Sequence, residues 1–348
     1  MTVLRTADGA TQAARRQERV SRGGRSGVVS LAAVGMVCAL LAALPYAVDP
    51  GITTNLVTLF SLVTLATMWN LLAGYAGMVS VGQQAFIGLG AYVLFVVNDA
   101  GIDVYSGTVL SALVVGAIAW PVSYLAFRLR GGYFAIGTWV IAEVARLIIV
   151  RVESLGGGRG RTLQTMTADP LLRKAYTYWL ALAVMAAAVF VAYGMLRNRV
   201  GLDLQATRDD EVGAASLGVP VTRAKRLVYV VAATGCAAAG AVICIRGLGV
   251  ASPAEIFGVQ YSAFMIFMVV IGGIGTIEGP VIGALAYFAI ERTLGQSGVW
   301  YLVVLGVAAI LITLFLPRGL WGTVAARTGW SIFPVSHRVL RTPTKEIR

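Results

Sequence analysis

The sequence predicts an all-α, polytopic integral membrane protein with about 8–10 transmembrane helices and room among them for broken or re-entrant segments. Three observations lead there. Of the 348 residues, 58% are apolar and only 13% charged, with a mean hydropathy of +0.79, far from the balance of a water-soluble domain. The apolar residues fall in runs long enough to cross or deeply enter a hydrocarbon core of about 30 Å. The 28 basic residues gather in blocks between those runs.

Ten apolar runs can be drawn, at 29–48, 55–74, 83–97, 107–127, 133–150, 178–196, 227–245, 260–275, 280–295 and 300–316. The polar leader and long core of the first fit an uncleaved span better than a cleaved signal peptide. The 83–97 run is short and opens on Gln83 and Gln84, and the runs at 260–275 and 280–295 are divided by "GGIGTIEGP". These are the places for broken or re-entrant helices, which survive only where protein or a water-filled cavity covers the backbone. No soluble domain interrupts the chain. Its organisation is a basic tail, 1–28, a transmembrane domain, 29–322, and a second basic tail, 323–348.

Charge sets the orientation. With the N-terminus in the cytoplasm, the inside pieces are the tail 1–28, Arg128 and Arg130, the passage 197–226, and the chain from 317 onward. They hold 20 of the 28 basic residues, as the positive-inside rule requires. Both termini are then cytoplasmic, and the loop with Asp99 and Asp103 lies outside. One loop breaks the pattern: 151–177, with Arg151, Arg159, Arg161, Arg173 and Lys174, also falls outside.

Composition disfavours other classes. The only histidine is His337, in the polar tail, so neither a zinc site nor a histidine-based triad can be built within the spans. Cys236 and Cys244 would lie about 12 Å apart along one helix, too far to bridge, and with Cys38 they read as small buried hydrophobes. The net charge of +12 falls in membrane-flanking blocks and so points to lipid headgroups, not nucleic acid.

The most polar interior passage is "RNRVGLDLQATRDDEVGAASLGVPVTRAKR", Arg197 to Arg226. Asp209, Asp210 and Glu211 place carboxylates where a helix N-terminus favours negative charge, and Gly218 and Pro220 supply a stop. This predicts a helix of about two turns from Asp210 to Leu217, with Val212, Ala215 and Leu217 as its apolar contacts. A solvated loop that merely obeys the charge rule is the alternative to a docking element for a soluble motor.

Four further constellations stand out. Gln83 and Gln84, followed by Phe86, put polar groups near the membrane interior and are candidates to line a translocation path, beside the plainer role of helix packing. Gly82, Gly88 and Gly90 punctuate the same run. Glu143 and Arg146, three apart, can pair on one helix face as a further path element or as a structural clamp. Gly272, Gly273, Gly275, Gly279 and Gly283, with Glu278 among them, serve either close packing or a hinge. Glu291 and Arg292 sit near a span end, where they can snorkel.

The stretch "ATRDDEVGAASLGVPVTRAKRLVYVVAATGCAAAGAV" resembles the coupling-helix region of ABC importer permeases, in the form used by branched-chain amino acid permeases of the LivM type. There an "EAA" loop docks into a cleft on the ATP-hydrolysing subunit. Aligning the motif glycine on Gly218 puts Val212, Gly213 and Ala214 at the E-A-A positions, a departure at the acidic one. The resemblance continues through "NLLAGYAGMVSVGQQAFIGLGAYV", "RLRGGYFAIGTWVIAEVARLI", "LGGGRG", "SPAEIFGVQYSAFMIFMVVIGGIGTIEGPVIGAL" and "FLPRGLWG", from about residue 55 to 322. It implies a permease subunit in a bacterial inner membrane, importing branched-chain amino acids or related small polar solutes such as urea or short amides. It also implies a LivH-like second permease, two LivG/LivF-like cytoplasmic ATPases that hold the ATP and magnesium, and an extracytoplasmic binding protein. No cofactor belongs to this chain on that reading, and Asp209, Asp210, Glu211, Val212, Gly213, Ala214 and Gly218 couple to the ATPase. The alternative from another class is a secondary transporter relaying ions through Glu143, Glu278 or Glu291.

Overall fold

Apolar runs without water must bond their backbones internally, and helices do so within one segment. In the computed structural model, which describes residues 19–21, 35–46, 48–163, 169–295, 298, 300–328 and 338–340, every one of the ten apolar runs contains a helix. The helices are α1, Gly35–Tyr46; α2, Pro50–Asn70, continued by a π-helical turn, Leu71–Tyr75; α3, Gln84–Asp99; α4, Val104–Ala126; and α5, Gly132–Arg151. There follow α6, Pro170–Arg197; α7, Arg199–Asp209; α8, Glu211–Ser216; α9, Val221–Arg246; and α10, Pro253–Ile256. Last come α11, Gln260–Gly272; α12, Gly279–Leu294; α13, Trp300–Phe315; and α14, Gly319–Thr328. Among the described residues seven stretches are long and apolar enough to cross a membrane, while α1 and α3 are shorter apolar helices. Most of the two basic tails, with His337 and residues 29–34, lies outside the described residues. A short antiparallel pair, Arg19–Ser21 with Arg338–Leu340, joins the two tails, and another joins Arg161–Thr162 to Val250–Ala251.

Three boundaries correct the expectation. Helix α6 opens at Pro170, ahead of the apolar run, because proline's missing N–H costs nothing in a first turn. The connection from α5 to α6 is shortened accordingly. Helix α9 begins at Val221, so "RAKR" rides on its first turns and not on a loop. Cations there oppose the helix dipole, and each of two finds a local partner: Lys225 Nζ lies 2.7 Å from Glu211, and the Arg226 guanidinium sits 3.8 Å from the Tyr124 ring centre. Helix α7 was not expected at all; its buried stripe is only Gly201, Leu204 and Thr207, three apart among polar residues.

At the centre lies α9, against α2, α3, α4 and α6. Its run of small residues is the reason. Ala232, Ala233, Cys236, Ala237, Ala239, Gly240 and Ala241 are all fully buried, and in a membrane it is small side chains that let backbones approach closely. Gly240 lies against the backbone of Ile87, Gly90 against that of Ala237, and Gly116 against the Thr234 side chain. The cysteines are free, Cys236 and Cys244 buried in this block. By contrast α5 and α13 are peripheral, with Ile136, Val140, Leu147, Ile310 and Leu314 exposed.

The helices alternate between two ends. One end gathers the segment 76–83, the turn 127–131, α7, α8 and the loop 273–278: Arg208 meets Gly74, Gly77 and Gly275, and shares a cavity wall with Ala76, Phe127, Arg130 and Glu211. At the other, Arg161 pairs with Asp99 and bonds the Ser154 carbonyl (2.8 Å), so one charge of the basic connection after α5 is tied down locally.

Gly90→Val has to push its side chain into the Ala237 backbone, whose carbonyl oxygen is in the way and whose Cα lies 2.6 Å from where a Cβ would sit. It should lower the melting midpoint of the detergent-solubilised protein by an overpacking cost of about 1–3 kcal/mol. Gly194→Ala, with open space around it, should leave that midpoint unchanged or raise it.

Candidate functional site

A six-residue helix survives in water only if its ends are capped, and α8 is capped at both. Asp210 is extended (φ −152°, ψ 106°), and its carboxylate accepts the N–H groups of Val212 and Gly213, each at 3.0 Å. Gly218 closes the other end in the left-handed region (φ 83°), after which Val219 N–H bonds back to the Ala214 carbonyl at 3.0 Å. The predicted helix is thus present, with Asp210 as its cap and Asp209 as the last residue of α7. Of the three positions aligned with E-A-A, Ala214 is buried, while Val212 is 76% exposed; Leu217 beyond them is 86% exposed. Glu211, beside the acidic position, is held by Lys225. An open cavity of about 630 Å³ borders α8, with Met78, Arg130, Phe134, Arg208, Glu211 and Lys225 on its wall.

From the neighbouring α7, Arg208 reaches into the bundle and donates through Nη1 to the Gly74 carbonyl. That carbonyl belongs to the last turn of the span, where no intrahelical donor exists and a cation suits the dipole. Asn70, one turn earlier, clasps the loop between α11 and α12: its Nδ2 donates to the Thr276 carbonyl (2.8 Å), and Gly275 N–H donates to its Oδ1 (2.9 Å). Thr276 closes the loop on itself, donating to the Gly273 carbonyl (2.8 Å) and accepting from Gly279 N–H (3.0 Å). Gly275 holds φ 78°, and a Cβ there would lie 3.0 Å from Arg208 Nη1 and 3.3 Å from the Gly74 oxygen. Only glycine fits. Sequence reasoning has Arg208 only as a flank of the predicted short helix and does not single out Asn70, Gly74 or Thr276; the one local signal is an arginine and an asparagine beside otherwise apolar runs.

The predicted path residues separate into two groups. Gln83, Gln84 and Phe86 are buried together at the start of α3. Gln83 Nε2 bonds Ser80 Oγ (3.3 Å), Gln84 Oε1 accepts from Ser262 on α11, and Phe86 meets Tyr229 edge-on at 5.6 Å. Gln83 Oε1 is buried with no hydrogen-bond partner among the described residues. Glu143 and Arg146 are elsewhere, paired through three bonds of 2.5, 3.0 and 3.1 Å on the exposed side of α5. The glycines serve close approach: Gly82 against Thr138, Gly88 against Phe257, and Gly272, Gly279 and Gly283 where α11 and α12 cross. Gly273 abuts Arg318 and Gly319. No cluster of three or more potential metal ligands occurs among the described residues.

Residues 51–314 match the family model described as branched-chain amino acid transport system, permease component. Over 279 residues the chain is 26% identical to the high-affinity branched-chain amino acid transport system permease protein LivM of Salmonella typhimurium, which covers 72% of this chain and 65% of that relative. The match therefore spans less than two thirds of that relative. LivM of Escherichia coli is 26% identical over 310 residues, 81% of this chain and 72% of the relative. The permease protein LivH of the same organism is 27% identical over 303 residues, 76% of this chain and 94% of the relative. No solved structure is a significant match.

Asp210→Ala removes a cap worth about 1 kcal/mol. Amide exchange at Val212 and Gly213 should then quicken by about fivefold, with the amides of α9 unaffected.

Proposed function

This chain belongs to the family of permease components of branched-chain amino acid transport systems, and from that premise we propose that it is the membrane-spanning subunit of an ATP-driven importer. Its substrates on this reading are leucine, isoleucine and valine or related small polar solutes. The observation that carries the reading is α8: a doubly capped helix that turns Val212 and Leu217 outward at the polar end of the bundle. Two large apolar side chains left in water on so short a helix are what a docking knob needs and what a plain connecting loop has no use for.

The partners follow from that knob. Two cytoplasmic ATPases bind the ATP and magnesium and receive α8, with Asp209, Asp210, Glu211, Gly213, Ala214 and Gly218 shaping the contact. A second, LivH-like permease completes the membrane assembly, and a binding protein on the outer side delivers substrate. The membrane is the bacterial inner one, with α8 and both termini facing the cytoplasm. The charge distribution supports this orientation, as does the pairing of the two tails. The chain itself performs no covalent chemistry and carries no cofactor. Substrate passes Gln83 and Gln84, whose amides and neighbouring hydroxyls offer neutral donors and acceptors in the interior.

Uptake of labelled leucine, isoleucine and valine, with urea alongside, in cells with and without the gene tests the reading. Loss of branched-chain uptake that follows ATP and not the proton gradient is the expected result. Loss confined to urea keeps the importer and changes its substrate. Dependence on the gradient alone, sensitive to a protonophore while ATP remains, overturns the mechanism in favour of an ion-coupled carrier. Val212→Asp with Leu217→Asp should cut ATP-dependent uptake at least tenfold, about 1.4 kcal/mol or more of docking energy, while membrane levels of the chain hold.

A further inference from the structure

Resting on the importer reading, we propose that Arg208 is the positioning residue that makes movement of α8 move the bundle. Three segments meet at its guanidinium. The first is α7 itself, which ends one residue later; only Asp209 separates Arg208 from Asp210, the cap of α8. Adjacent Cα atoms are about 3.8 Å apart, so α8 cannot be displaced by several ångströms without carrying Arg208 along. The second is the π-helical end of α2, where Arg208 bonds the Gly74 carbonyl and packs its Cα, Cβ and Cγ on Gly77. Single π turns mark helices that have given up regular bonding, often at functional positions. The third is the loop 273–278, whose Gly275 backbone lies against Arg208 Nη1 and is clasped by Asn70 from the same α2 turn.

The geometry gives one side chain a grip on two helix breaks at once. The Gly74 bond is charge-assisted, which makes it about twice as strong as a neutral one, and it crosses 134 residues of sequence. Asn70 then passes any shift of the α2 end to the loop that precedes α12. A pull on α8 is thereby delivered to α2, α11 and α12 together, with α9 as the fixed frame. Without Arg208, α8 keeps its cap and its outward apolar pair, so docking and ATP hydrolysis persist while their effect on the path is lost.

The test is the complete assembly, reconstituted in liposomes with its ATPases, partner permease and binding protein, with uptake and ATP hydrolysis measured on the same vesicles. Arg208→Ala is expected to keep hydrolysis within about threefold while uptake per ATP falls at least tenfold; Arg208→Lys, which retains a charge and a donor, recovers most of that ratio. A purely structural role would lower both activities in proportion and leave the ratio unmoved, and that result, or an unchanged ratio in a fully active variant, overturns the proposal. Should Arg208→Ala fail to assemble, Arg208→Gln takes its place with the same expectation, and failure of both to assemble also overturns it. If the wild-type assembly shows no ATP-dependent uptake, the importer reading itself has failed, which the wild-type arm reports separately.

Discussion

A backbone amide shut away from water has to be bonded by the protein itself, so every place where a helix breaks against the packed bundle needs partners of its own. The two breaks, 76–83 and 273–278, are built around that requirement. In the first, Met78 N–H returns to the Leu72 carbonyl (3.0 Å), the Ser80 carbonyl takes the Trp69 indole N–H (2.8 Å), and Val81 N–H finds Thr138 Oγ1 (3.2 Å). In the second, Asn70 and Thr276 supply the partners. Polar residues that look like blemishes in apolar runs are the ones that make the breaks affordable.

The same division separates what holds from what yields. Between α9 and α3 the contacts run backbone against backbone across Gly90 and Gly240, and between α9 and α4 Gly116 admits the Thr234 side chain. Sliding one past another there means lifting whole helices apart, because close-packed interiors do not deform continuously. The breaks are held instead by a few directional hydrogen bonds, each worth about 0.5–1.5 kcal/mol net. Exchanging two or three of these lies within what a docking event supplies. On the proposed mechanism, motion belongs to the end where α7, α8 and the two breaks converge.

Much of this was legible in the sequence, and what was not has a physical reason. Spans are announced by length and polarity alone, so all ten apolar runs turned out to hold helices. The short 83–97 run with its leading glutamines marked a real break before α3, and Asp210 with Gly218 marked a real pair of caps. Helix α7 stayed hidden because its buried stripe is three residues wide in a polar passage. The early start of α9 was masked by basic residues whose compensation comes from Glu211 and Tyr124, on other elements. Asn70 and Arg208 act across 206 and 134 residues of sequence, and no local pattern encodes a contact of that separation. Glu143 and Arg146 showed the reverse: the spacing foretold their pair correctly, but not that it would face outward from α5.

The buried polar seam also bears on how choosy such a bundle can be. Gln83, Gln84, Ser80 and Ser262 are neutral, and each presents both a donor and an acceptor. Gln83 Oε1 is left without a partner among the described residues, a cost of about 1–3 kcal/mol that any N–H donor would relieve. Were these groups to meet the substrate, as proposed, they would bond the ammonium end of an amino acid, its carboxylate, or the amide of an uncharged solute with similar ease. The seam has no fixed charge to set a zwitterion's orientation and no counter-charge to reject a neutral one. On the proposed path, discrimination among small polar solutes falls to whatever delivers the solute to the seam, and the seam's contribution is to pass a polar solute without holding it.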